Sequence, residues 1–192
     1  MAWPHVEEAA GAVPLRRQLT WWVLILPVAM GLALARHAVY WLDYTHVMAG
    51  ALWTGADLLL GFVVGPVLRR LGPRERSAFI RQLVPRTLLY MPVVALTTGT
   101  AGWFLANWLG LWTAGRPERN WVLAALVITT ILAVQGLGIM LPNNLRILRE
   151  MQRPTPDADR IWRYNRVNMV LAAVQGVLQV AIIAVMAHLV VG

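Results

Sequence analysis

His46, Gly50, Trp53 and Asp57 lie in one apolar stretch at offsets of four, seven and eleven residues, which puts them on a single face of a helix. An imidazole in such a setting can ligate heme iron or copper through a ring nitrogen. A carboxylate deep in an apolar run costs ~2.5–3.5 kcal/mol even on insertion scales. Two roles are therefore open for Asp57: a proton relay or quinone-site group, or a structural hydrogen bond inside a bundle. It lies about 16 Å along the helix from His46, too far to share one metal ion. Gly50, with Gly61 further along the same face, would let a second helix or a flat cofactor come close.

Two more histidines extend this set. His37 ends the first apolar run and His188 lies near the end of the last. If the runs cross a bilayer in alternation, His37, His46 and His188 all fall at its outer side. His46 is then the first candidate ligand for heme iron and His188 the second, with His37 as its substitute. Arg36 is placed to pair a heme propionate. For copper, the same imidazoles with the Met48 and Met186 thioethers form a nitrogen and sulfur set suited to the cuprous ion. The last run answers the Asp57 face with a stripe of its own, Asn168, Ala172, Gln175, Gln179 and Met186, and Gln135 sits at similar depth in the fourth run. Such amides usually hydrogen-bond between helices in lipid.

The elements carrying these residues are read from composition. The hydrophobic fraction is 58% and charged residues are 14% of 192, against roughly 25% charged in a soluble domain. Five apolar runs, 19–36, 42–68, 86–113, 120–145 and 164–191, are each near the ~20 residues a helix needs to cross a bilayer. The reading is an all-α integral membrane bundle over 1–192, one domain, with four core helices and an added N-terminal one. The 17 basic residues are all arginine. They concentrate in the connectors 69–86 and 146–166, whereas Arg36 stands alone after the first run and Arg116 and Arg119 follow the third. The positive-inside rule puts the rich connectors and Arg16-Arg17 in the cytoplasm, hence N-terminus in and C-terminus out.

Finer expectations follow. Arg16-Arg17, the apolar run and Ala33-Leu34-Ala35 have the form of an export signal, but the run is read as a first transmembrane helix kinked at Pro27. Residues 73–84 read as an amphipathic helix lying on the interface with Phe79, Ile80 and Leu83 toward lipid. The Leu141-Pro142-Asn143-Asn144 stretch reads as a helix-ending or kinking device. Trp21, Trp22, Trp41, Trp112 and Trp121 read as interfacial anchors. With no cysteine, disulfides, thiolate metal sites and iron–sulfur clusters held by this chain are excluded. The net charge of +8 is assigned to topology and anionic lipid, not to nucleic acid.

The stretch Tyr40-Trp41-Leu42-Asp43-Tyr44-Thr45-His46-Val47-Met48-Ala49-Gly50-Ala51-Leu52-Trp53-Thr54-Gly55 resembles the histidine-bearing helix of CopD-like and HemJ-like membrane proteins, and of a broader group of bacterial integral membrane proteins with the same pattern. The resemblance covers about 25 residues. It implies a four-helix core in a bacterial inner membrane, with His46 as axial ligand of heme b or as a copper ligand. It also implies membrane electron transfer or porphyrin or quinone redox chemistry, or copper delivery. HemJ-like members carry a lysine on a later helix, and this chain has none. The remaining alternative is a non-catalytic anchor or assembly subunit. The expected partners are the bilayer, a membrane redox partner or larger complex, or a second copy of the chain.

Overall fold

The computed structural model describes residues 15–113 and 118–191, and among these the regular structure is entirely helical. After one turn at Leu15–Gln18 come five helices: α1 (Trp21–Ala35), α2 (Val39–Arg70), α3 (Pro73–Trp108), α4 (Glu118–Met151) and α5 (Ala158–Val191). Helices α2 to α5 are each long and apolar enough to cross a membrane. At ~1.5 Å per residue α3 is about 54 Å long, well beyond a ~30 Å hydrocarbon core. Helix α1 opens as a 3-10 turn over Trp21–Leu24. Pro27 then falls in the first α-helical turn, Ile25–Ala35, where its missing N–H breaks no helical hydrogen bond, so the expected proline kink is replaced by an irregular start.

The four long helices form a ring. Helix α2 packs on α3 and α5, α5 also packs on α4, and α1 lies against α2 and α3. Helices α3 and α4 meet mainly near their arginine-rich ends. There, α2, α3, α4 and α5 share a core of Leu68, Ile80, Val84, Ile147 and Ile161, all at most 2% exposed. This core overturns the expectation of a separate interfacial helix over 73–84. That segment is the first part of α3, and Ile80 faces the bundle rather than lipid. The Leu71-Gly72-Pro73 break is present, with Leu71 extended at ψ 148°. Across the rim the Arg76 guanidinium sits 4.2 Å from the Trp162 ring, so the two arginine-rich connectors adjoin.

Pro142 does not end α4. A π-helical turn, Gly136–Met140, immediately precedes Leu141–Met151, and the helix runs through. A second π-turn, Leu59–Val64, precedes Gly65-Pro66 in α2 in the same way. Proline removes an N–H and crowds the preceding turn, and in both helices the wider π-turn lies where that mismatch must be absorbed.

The connector into α5 is tied by acids. Glu150, 4% exposed, pairs with Arg153 and Arg160 at 3.0 and 3.3 Å. Asp157 caps α5, its Oδ1 accepting from the Asp159 and Arg160 N–H groups, both at 3.0 Å. The Arg160 N–H, with help from the Asp159 N–H, holds the Asp157 carboxyl below its ordinary value of 3.8. A lowered folded-state pKa contributes stability that is present above the ordinary value and is lost as pH falls through the lowered one. Thermal melts in detergent should therefore lose a small increment on acidification below about pH 4. Asp157→Asn, which still caps but does not titrate, should remove that part of the pH dependence.

Candidate functional site

The predicted polar face of α2 is directed into the bundle. Trp53 and Asp57 are 6% and 0% exposed, and His46 is half-buried. What opposes them differs along the helix. His46 meets α3: its Nδ1 lies 2.9 Å from the Thr98 carbonyl oxygen. A Cβ on Gly102 would stand 2.8 Å from His46 Cε1, so glycine there gives the imidazole its seat. Thr98 keeps its hydroxyl on the Val94 carbonyl at 2.8 Å and offers only its backbone oxygen. With that oxygen as acceptor, Nδ1 carries the ring proton and Nε2 carries the lone pair.

Asp57 meets α5. Its Oδ2 accepts from Gln179 Nε2 at 3.0 Å, with both side chains sealed from solvent. Asp57 Oδ1 and Gln179 Oε1 have no hydrogen-bond partner among the described residues. Just beyond this pair the backbones come together. A Cβ on Gly61 would stand 2.5 Å from Ala173 Cα, and one on Gly176 would stand 2.7 Å from Leu58 Cδ2. The expected close approach at Gly61 is therefore filled by a helix, and at Gly50 by Thr98, whose Cγ2 would lie 3.5 Å from an added Cβ.

The α5 stripe is buried at Asn168, Ala172, Gln175 and Gln179, with Met186 half-buried. Its amides clamp the backbone of α4 just before the π-turn and at its last residue. Gln175 Nε2 donates to the Leu132 carbonyl at 2.9 Å, and Asn168 Nδ2 to the Met140 carbonyl at 3.2 Å. Asn168 also bonds the side chains of Asn143 and Asn144. Gln135 has its Oε1 buried without a hydrogen-bond partner among the described residues.

His37 and His188 lie at the end of the bundle away from the arginine-rich connectors, and both are exposed. His37 stacks on Trp108 of α3 with ring centroids 4.0 Å apart, and His188 on Trp121 of α4 at 4.2 Å. His37 has φ +50° and ends α1: Ala38 N–H donates to the Ala33 carbonyl and His37 N–H to that of Leu34. Those two bonds make a Schellman terminus, a role that spacing alone did not reveal. Arg36 beside it is exposed. Met48 is 38% exposed. Among the described residues no three His, Asp or Glu side chains converge as a metal-binding group. Arg116 lies outside the described residues.

Two cavities flank α2. One, of about 390 Å³, lies between α1 and α2 and includes Arg36, Trp41, Thr45 and Met48 in its wall. The other, of about 210 Å³, is a cleft between α3 and α4 that reaches inward to Trp53 and Gln175. Neither has a histidine in its wall. Gly102 was not singled out from sequence, because it acts only by its place opposite another helix. Comparison with known protein families, with curated proteins and with solved structures finds no match to this chain, so its function has to be argued from these side chains.

Proposed function

We propose that this chain is a heme b protein of a bacterial inner membrane, with His46 as an axial ligand of the iron. The observation that carries the reading is the hydrogen bond between His46 Nδ1 and the Thr98 carbonyl. A ligating histidine almost always donates its other ring N–H to such an acceptor, which fixes the tautomer and orients the lone pair. Nε2 makes no hydrogen bond among the described residues. The donor chemistry therefore fits an axial ligand. Neither cavity offers a preformed chamber for a porphyrin, so support comes from the ring and from the resemblance of residues 40–55. His188 is the second ligand in this reading. The antiparallel register that sets Gly61 against Ala173 and Leu58 against Gly176, carried along both helices, brings residue 46 level with residue 188. Heme, when bound, supplies one-electron chemistry. The chain's own part is to hold the imidazole tautomer through Thr98 and to leave the ring room at Gly102.

The reading includes α1 as a fifth span, with the arginine-rich end in the cytoplasm. The Thr20 hydroxyl bonds the Arg86 carbonyl at one end of the helix, and His37 stacks on Trp108 at the other. Helix α1, about 22 Å long at ~1.5 Å per residue, is thus tied to α3 at both ends, and its flanking residues carry the rest of the crossing. The test is spectral. Protein expressed with heme supply should purify with a Soret band, which His46→Ala should abolish and His188→Ala should shift. Folded, colourless wild-type protein would overturn the proposal. Copper retained in place of heme would favour the cuprous reading.

A further inference from the structure

We infer that the cleft between α3 and α4 is a binding site for a quinone-class molecule in its reduced form: a single ring bearing hydroxyl groups, entering sideways from the bilayer. The inference is independent of His46 and of heme. Three observations point the same way.

The first is shape. The cleft exists because α3 and α4, joined at their arginine-rich ends, stand apart above. Its walls carry small residues where bulkier ones would close it: Ala95 and Gly99 on α3, Ala133 and Gly136 on α4. Pro92 on α3 and the π-turn of α4 also fall here. The volume of about 210 Å³ suits one substituted ring, given that an apolar cavity of roughly 150 Å³ takes up benzene.

The second is the polar floor. Gln175 is 1% exposed and lies in the wall of the cleft. Its Nε2 is committed to the Leu132 carbonyl, which leaves Oε1 as an acceptor facing the cleft. Beside it in the floor lies Trp53, whose indole N–H is directed to the Asp57 carboxyl and which therefore offers the cleft its ring. A buried acceptor at the bottom of a mostly apolar slot, with Thr100, Thr129 and Asn144 also in its wall, is what a ring hydroxyl requires. An acyl chain would leave the Gln175 acceptor unused, at the cost of burying an unpaired polar group.

The third is access. The residues of α3 and α4 that flank the cleft, such as Leu96 at 54% and Leu137 at 38% exposure, lie within the apolar spans. The occupant therefore comes from the bilayer, its alkyl tail trailing between α3 and α4.

The test uses the full chain in phospholipid nanodiscs and a radiolabelled alkyl-hydroquinone kept reduced, whose ring hydroxyl can donate to Gln175 Oε1. Wild-type protein should retain the probe saturably. Ala95→Phe and Ala133→Phe, which fill the cleft from opposite walls, should each weaken retention at least about tenfold, and Gln175→Leu by about tenfold through loss of one hydrogen bond. Val177→Phe, on the lipid face of α5, should leave it unchanged. Each variant is compared at matched helical content by circular dichroism, and the two filling variants back each other should one not fold. No saturable retention by the wild type would overturn the inference. So would retention that survives both filling variants, or equal competition by a ringless alkyl chain, which would make the cleft a lipid-tail groove.

Discussion

Gly61→Ala is expected to destabilise the bundle by about 1–3 kcal/mol or more, through overpacking. The methyl group would meet Ala173 Cα and N, each at 2.5 Å. These are backbone atoms, and no rotamer change can move them aside. The α2–α5 interface must open, and the Asp57–Gln179 bond one turn away opens with it. Gly50→Ala is the matched control: its Cβ would stand 3.5 Å from Thr98 Cγ2, an ordinary contact, and it removes a flexible residue from a helix interior, which favours folding slightly. Unfolding in mixed detergent micelles, followed by circular dichroism, separates the two. Ala173→Gly should rescue Gly61→Ala only in part, because deleting the Ala173 methyl leaves its Cα and N in place. Equal tolerance of alanine at both glycines would mean that the helices are not in backbone contact at Gly61.

The same contrast shows what was legible from sequence. Membrane-length apolar runs are set by one-dimensional composition, and α2 to α5 follow from it directly. The face carrying His46, Trp53 and Asp57 is a matter of helical period and is also present, with the α5 amides opposite. Which neighbour each side chain meets was not legible. Nothing in the spacing distinguishes Gly50, beside a threonine methyl, from Gly61, beside a backbone, or assigns His46 to Thr98 and Gly102. Other local features needed the packed structure to be read. Residues 73–84 look amphipathic because helices longer than the bilayer carry their packing beyond it, so Ile80 faces Leu68, Ile147 and Ile161 rather than lipid. Whether Pro142 ends or kinks its helix is open in sequence because a proline does not show the π-turn that accommodates it. The part His37 plays in ending α1 was hidden because a left-handed helix terminus usually announces itself by glycine.

Asp57 and Gln179 supply the other large effect. Gln179→Leu removes the hydrogen bond to Asp57 Oδ2 while the carboxyl stays at 0% exposure, with only the Trp53 indole N–H beside it. Leaving Oδ2 unsatisfied should cost about 1–3 kcal/mol, more than the roughly 0.6 kcal/mol average of an interhelical hydrogen bond in lipid. Asp57→Leu leaves only a neutral amide without its acceptor and should cost less. The double variant Asp57→Leu with Gln179→Leu removes both polar groups at similar volume and should recover most of the loss. The cycle also bears on function. If the pair is helix glue alone, the double variant should keep any heme signal and any quinone retention intact. If Asp57 handles protons for a redox reaction, the double variant stays folded yet loses pH-dependent turnover. Additive destabilisation of the two single variants would show that the Asp57–Gln179 contact carries no coupling, and the polar seam between α2 and α5 would then be held by backbone packing at Gly61 and Gly176.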